Sequence, residues 1–117
     1  MTITDNSIFN TSEILYIRIE TIKQRINKLE FHKTENKISS AEERELAELY
    51  AKLQPLTHRL TEIHHLILDY SVRIKSDNER FIVIEYFVNH ASRADIVSKD
   101  FYERSWVYRI IKKYRSI

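Results

Sequence analysis

Nine apolar residues recur at alternating spacings of three and four: Leu46, Leu49, Leu53, Leu56, Leu60, Ile63, Ile67, Tyr70 and Ile74. An α-helix turns once in about 3.6 residues, so this alternation holds all of them on one stripe. A strand, with a side-chain period of two, would scatter the same residues over both faces. A second stripe precedes it, formed by Leu15, Ile19, Ile22, Ile26 and Leu29. Between them the polar stretch 32–40, HKTENKISS, is long enough for the chain to reverse. The two stripes predict a long helical hairpin or coiled coil over residues 10–75. Asn10 with Glu13, and Ser40 with Glu43, mark its two helix starts, each a small polar residue followed three later by a carboxylate. Residues 1–9 are polar and are expected to form a flexible N-terminus.

The chain has no Gly, no Cys and a single Pro. Without Gly, any turn that needs positive φ must use Asn or Asp, which argues for few turns and an all-α chain. Without Cys there is no disulfide framework and no thiolate ligand or nucleophile. Pro55 falls inside the long stripe, where it removes one backbone hydrogen bond and clashes with the preceding turn, so a kink or break is expected there. Beyond it Leu66, Leu68 and Val72 widen the apolar stripe. The first stripe covers roughly half of the second. The surplus predicts a homodimer, with Leu49, Leu53, Leu60, Ile63, Ile67 and Tyr70 as the hairpin and dimer seam; closure by the C-terminal helices is the competing arrangement.

Residues 76–117 change character. Ser76 precedes Glu79 by three, Ser92 precedes Asp95, and Asp100 precedes Glu103, giving three further helix starts. They divide the stretch into helices at about 77–90, 93–99 and 101–115, the order of a helix-turn-helix with a supporting first helix. Charge separates the helices. From Ser76 to Ser98, Arg80 and Arg93 face Asp77, Glu79, Glu85 and Asp95, a net of −2. From Lys99 onward, Lys99, Arg104, Arg109, Lys112, Lys113 and Arg115 face only Asp100 and Glu103, a net of +4. The whole chain carries +2, so the last helix holds more than the entire excess. Cations near a helix C-terminus complement the helix dipole, which accounts for Lys112, Lys113 and Arg115. Arg104 and Arg109 lie too early for that, and a basic stripe is the electrostatic footprint of a nucleic-acid reader.

Glu79-Arg80, Val83, Phe87, Asp95-Ile96-Val97 and Val107-Tyr108-Arg109 together resemble region four of sigma factors, and more closely the small phage-encoded regulators of the ArpU/RinA type. The resemblance covers about 40 residues at the C-terminal end of the chain. It implies a helix-turn-helix, transcription regulation and a contact with RNA polymerase or another host protein. The sequence departs from that pattern at His90, where Gly is frequent, at Asp100, where an apolar residue is usual, and at Glu103, where Ser or Thr is usual.

The expected function is therefore a DNA-binding transcriptional regulator of phage or mobile-element type. It would bind double-stranded DNA as a homodimer and read the major groove with residues 101–115. Arg104 and Arg109 are the candidates for base edges. Arg93, Lys99, Ser105, Lys112, Lys113 and Arg115 are the candidates for the surrounding contacts, chiefly phosphates. The alternative is a small helical inhibitor or adaptor that binds a host protein and keeps the helix-turn-helix only as scaffold; Asp100 and Glu103 at the start of the reading helix suit it. No cofactor and no metal are expected: His58 and His64 are six apart, and the adjacent His64 and His65 diverge by about 100°. No Gly-rich phosphate loop or nucleophile suggests an enzyme. No apolar run approaches a membrane span and no signal peptide is visible, so a cytoplasmic chain is expected. Phe81, Tyr86 and Phe87 are read as core, and Trp106 as the wedge that locks the last helix in place.

Overall fold

The computed structural model describes residues 7–100 and 102–117. Five helices and no strand occur among them: α1 (Ser7–Thr34), α2 (Ser40–Ser71), α3 (Asp77–Phe87), α4 (Arg93–Asp100) and α5 (Arg104–Ser116). The chain is all-α, as the two apolar stripes require. It forms two compact units, which divide it differently from a hairpin followed by a C-terminal module. One is Leu15–Leu60; the other joins the chain up to Ile14 with Thr61–Ile117.

Within Leu15–Leu60 the two long helices pack along the predicted stripes. Ile26, Leu29 and Leu46 are buried, with Ile22, Ile38, Leu49 and Leu53 half-buried against them. Arg25 donates through Nε and Nη2 to the two carboxylate oxygens of Glu45, at 2.7 and 2.9 Å. The connection closes α1 through Lys37 N–H to His32 C=O and Asn36 N–H to Lys33 C=O, with Asn36 at φ 56. That is the Schellman arrangement, and Asn supplies the left-handed residue that Gly would supply elsewhere. The start of α2 is capped one residue earlier than expected. Ser39 Oγ accepts from Glu42 N–H while Glu42 Oε1 accepts from Ser39 N–H and Oγ–H, a reciprocal capping box in place of Ser40 with Glu43. Helix α2 continues through Pro55 without a break.

The second unit holds the larger core, in which Phe9, Ile67, Ile82, Val83, Phe87, Ile96, Val107 and Ile111 are all buried. Here the N-terminal expectation is corrected. Residues 1–6 lie outside the described residues, but α1 begins at Ser7, and Ile8 and Phe9 are core rather than flexible arm. Phe9 meets Tyr70, Phe87 and Tyr114 edge-on, at ring-centroid distances of 5.4, 5.1 and 5.3 Å. Ser12, fully buried, donates its hydroxyl to Phe87 C=O at 2.6 Å, which satisfies a carbonyl left over at the end of α3.

The seam surplus beyond Leu60 is taken up inside the chain. Ile67 and Ile74 are buried in this core and Ile63 and Tyr70 pack against it, so the C-terminal helices cover what a second subunit was invoked to cover. The widened stripe is not used: Leu66, Leu68 and Val72 are exposed, because the covering helices lie only on the Ile63–Ile67–Tyr70–Ile74 side. Phe81 is likewise exposed, while Phe87 is core and Tyr86 half-buried. At the end of α2, Arg80 donates to Ser71 C=O at 3.2 Å and Ile74 C=O at 2.7 Å, so this guanidinium closes one helix while starting the next.

Candidate nucleic-acid interface

Ser76 and Ser92 start α3 and α4 as expected, accepting from Glu79 N–H at 3.2 Å and Asp95 N–H at 3.1 Å. The third start differs. Helix α4 runs on through Asp100, and α5 opens at Arg104 with Glu103 as its N-cap in an extended conformation. Glu103 O accepts from Val107 N–H, and its carboxylate accepts from Ser105 Oγ–H at 2.7 Å. Helix α5 thus begins three residues later than the expected 101–115 helix, and Phe101 lies outside the described residues.

Val107, Ile110, Ile111 and Tyr114 are the buried face of α5. At 100° per residue they occupy one side of the helix, which places Ser105, Arg109, Lys112 and Ser116 directly opposite, with Tyr108 at their edge and Arg104, in the first turn, at the border of the buried face next to the Ile111 direction. Trp106, half-buried, packs against the core and meets the Tyr102 ring edge-on at 5.5 Å, which agrees with its reading as a wedge. Tyr102 in turn donates to Asn78 Oδ1 at 3.0 Å, tying the α4–α5 connection to α3.

All eight candidate DNA-contacting residues are exposed: Arg93, Lys99, Arg104, Ser105, Arg109, Lys112, Lys113 and Arg115. They fall into two groups. Lys113 pairs with Glu79 at 3.4 Å, and the same carboxylate accepts from the Tyr114 hydroxyl. That bond and burial push the Tyr114 hydroxyl well above the usual tyrosine range, burial being the larger cause. Arg115 donates through Nε and Nη2 to Glu13 at 2.9–3.1 Å and to Tyr86 Oη at 2.8 Å, and the Glu13 bond raises the guanidinium further. These two cations fasten the last turn of α5 to α1 and α3. Lys99, Arg104, Arg109 and Lys112 form the second group, and no carboxylate among the described residues pairs with them.

Arg93 joins that second group through a contact the spacing did not reveal. Its guanidinium lies 4.6 Å from the centroid of the Tyr108 ring, so the first turn of α4 meets the outward face of α5. Tyr108 sits four residues after Arg104 and four before Lys112, and that periodicity could have flagged it as an outward residue.

One further pair escaped the sequence altogether. His64 Nε2, on α2, lies 2.8 Å from His90 Nε2, in the turn between α3 and α4. Burial, and secondarily the charge of His64, pushes His90 down to about 4; burial and His65 lower His64. Twenty-six residues separate the two rings, so no local spacing could join them.

No helix among the described residues is long and apolar enough to cross a membrane. No protein-family model, no curated protein and no solved structure matches this chain.

Proposed function

We propose that the chain is a double-stranded-DNA-binding regulator that presents α5 to the major groove. One observation carries the reading: Arg109 and Lys112 share the exposed side of α5 and Arg104 is exposed in its first turn, all three without carboxylate partners among the described residues, while the side opposite Arg109 and Lys112 is wholly packed. A helix fixed by one apolar face and basic on the other is the form that major-groove readers present to base edges. Arg93 at the capped start of α4 and Lys99 near its end would take flanking phosphates. The resemblance to sigma region four and to phage regulators supports transcription as the process and RNA polymerase as a further partner. Pairing of two copies would set two reading helices on successive half-sites, and Leu49 and Leu53, half-buried in Leu15–Leu60, would be the seam residues left to join them.

Glu103 supports the protein-directed alternative, because an exposed carboxylate at the start of α5 would repel phosphate. Binding to duplex DNA over a salt series, followed by selection from random sequence, decides between the two readings. Lys112→Ala should weaken all duplexes alike and lower the salt slope by about one ion. Arg109→Ala should cost about 1–3 kcal/mol on the selected site and relax its selectivity. Absence of duplex binding at low salt by a folded protein refutes the DNA reading and leaves the adaptor.

A further inference from the structure

We propose that His64 and His90 form a two-histidine clamp for a borderline divalent transition ion, of the zinc, nickel or copper class, joining α2 to the turn between α3 and α4. The two Nε2 atoms point at one another across 2.8 Å, and the ring centroids stand 5.0 Å apart with planes tilted by 46°. The rings therefore meet at their nitrogen edges and do not stack. Only one of the facing nitrogens can carry a hydrogen, so the other offers its lone pair into the gap. Two imidazoles on one tetrahedral ion, each about 2.0–2.1 Å from it, have their nitrogens roughly 3.3 Å apart. Replacing the shared hydrogen by an ion thus needs an opening of about half an ångström and a swing of each ring by roughly 35°, so that both lone pairs converge on one point beside the line between the nitrogens.

The backbone supports the same reading. His90 takes φ 56, a left-handed conformation uncommon for a residue with a β-carbon. It is held there by Asn89 N–H to Ile84 C=O and Ala91 N–H to Glu85 C=O, so the ring is aimed by a hydrogen-bonded turn and not by a loose loop. Both rings are half-buried, and burial favours the neutral form that a metal requires. No set of three or more His, Cys, Asp or Glu gathers among the described residues, so water would complete the coordination. Such a site keeps open positions and exchanges its ion, unlike a closed structural centre. Occupancy would stiffen the turn that carries α4 and so fix the frame on which α5 is mounted.

The test uses tag-free, chelator-stripped full-length protein and the metal ions alone, without DNA, so its result is independent of the DNA reading. Calorimetric titration with Zn²⁺, Ni²⁺ and Cu²⁺ should give one ion per chain, with Cu²⁺ tightest as the Irving–Williams order demands, and the melting temperature should rise with each. His64→Gln and His90→Asn should both abolish binding and the thermal shift; Asn tolerates the left-handed backbone, so the turn is kept. His58→Gln and His65→Gln should leave both readouts unchanged. A wild-type melt unmoved by all three ions overturns the proposal, as does a thermal shift that survives in His64→Gln or His90→Asn.

Discussion

Phe9→Ala is the sharpest test of the larger core. The side chain is fully buried and touches three aromatic rings edge-on, from α2, α3 and α5. Truncating a buried Phe costs about 3–5 kcal/mol in lost transfer energy and residual cavity. Edge-to-face partners add about 0.5–1.5 kcal/mol each beyond buried area, so the upper part of that range is expected. A domain of this size holds roughly 5–15 kcal/mol in total, so the variant should lose a third or more of its stability. With a urea slope of about 1–3 kcal/mol/M, the midpoint should fall by roughly 2 M. Urea unfolding followed by far-UV circular dichroism and by fluorescence of Trp106, the only tryptophan and itself packed on this core, measures it. Phe31→Ala, at a residue 62% exposed, should stay within about 0.5 kcal/mol of the parent. A Phe9→Ala loss below about 1 kcal/mol at unchanged slope would refute the placement of Phe9 at the centre of the core.

Three further outcomes follow from the same geometry. Pro55→Ala should raise the melting temperature, since α2 runs through this position and Pro costs about 3 kcal/mol more than Ala in a helix interior; a lower melting point would mean the ring stabilises the helix through its packing. Arg115→Ala should destabilise by about 1 kcal/mol, because its pair with Glu13 is half-exposed. It should leave the salt slope of DNA binding unchanged, and a slope lowered by about one ion would instead make Arg115 a phosphate contact. Glu42 is held below the ordinary 4.5 by the Ser39 backbone bond first and by His32 next. Its folded value is depressed, so its contribution is complete above pH 4.5 and is lost as pH falls through the lower folded value. Acid titration of Glu42→Gln should show a shallower loss of stability in that window than the parent; superimposable curves would remove the capping box from the account.

What the sequence disclosed depended on whether its cause was local. The stripes of α1 and α2, the caps at Ser76 and Ser92, and the buried face of α5 all arise from helical periodicity or from groups three residues apart, and each was legible. Ser39 was missed in favour of Ser40 because both precede a Glu by three, and only backbone geometry separates them. Asp100 and Glu103 have the right spacing for a cap, yet Asp100 ends one helix and Glu103 itself starts the next. Phe9 was hidden by Ser12. Ile8 and Ser12 continue the 3,4 register of Leu15 and Ile19, but a serine in an apolar stripe looks like its end. That serine is buried because a carbonyl 75 residues away needs a donor, and no window along the chain can see it. The basic face of α5 was legible as composition. Its division into cations that fasten the helix and cations left outward was not, because Glu13 and Glu79 lie 102 and 34 residues from their partners.

The clasp between Glu13 and Arg115 has a consequence for how the molecule is made. A ribosome releases the chain from its N-terminus at about 5–20 residues per second, so the first turns of α1 emerge several seconds before the residue that holds them. During that interval Leu15–Leu60, whose partners are all near in sequence, can close alone, while Ile8 and Phe9 have no core to enter. The larger unit is assembled later, by joining the start of α1 to Thr61–Ile117, and loop closure over such a span slows the step. A fragment beginning at Ser76 would therefore be translated as three helices lacking Phe9, Ile67 and Ile74, the side chains that fill their centre.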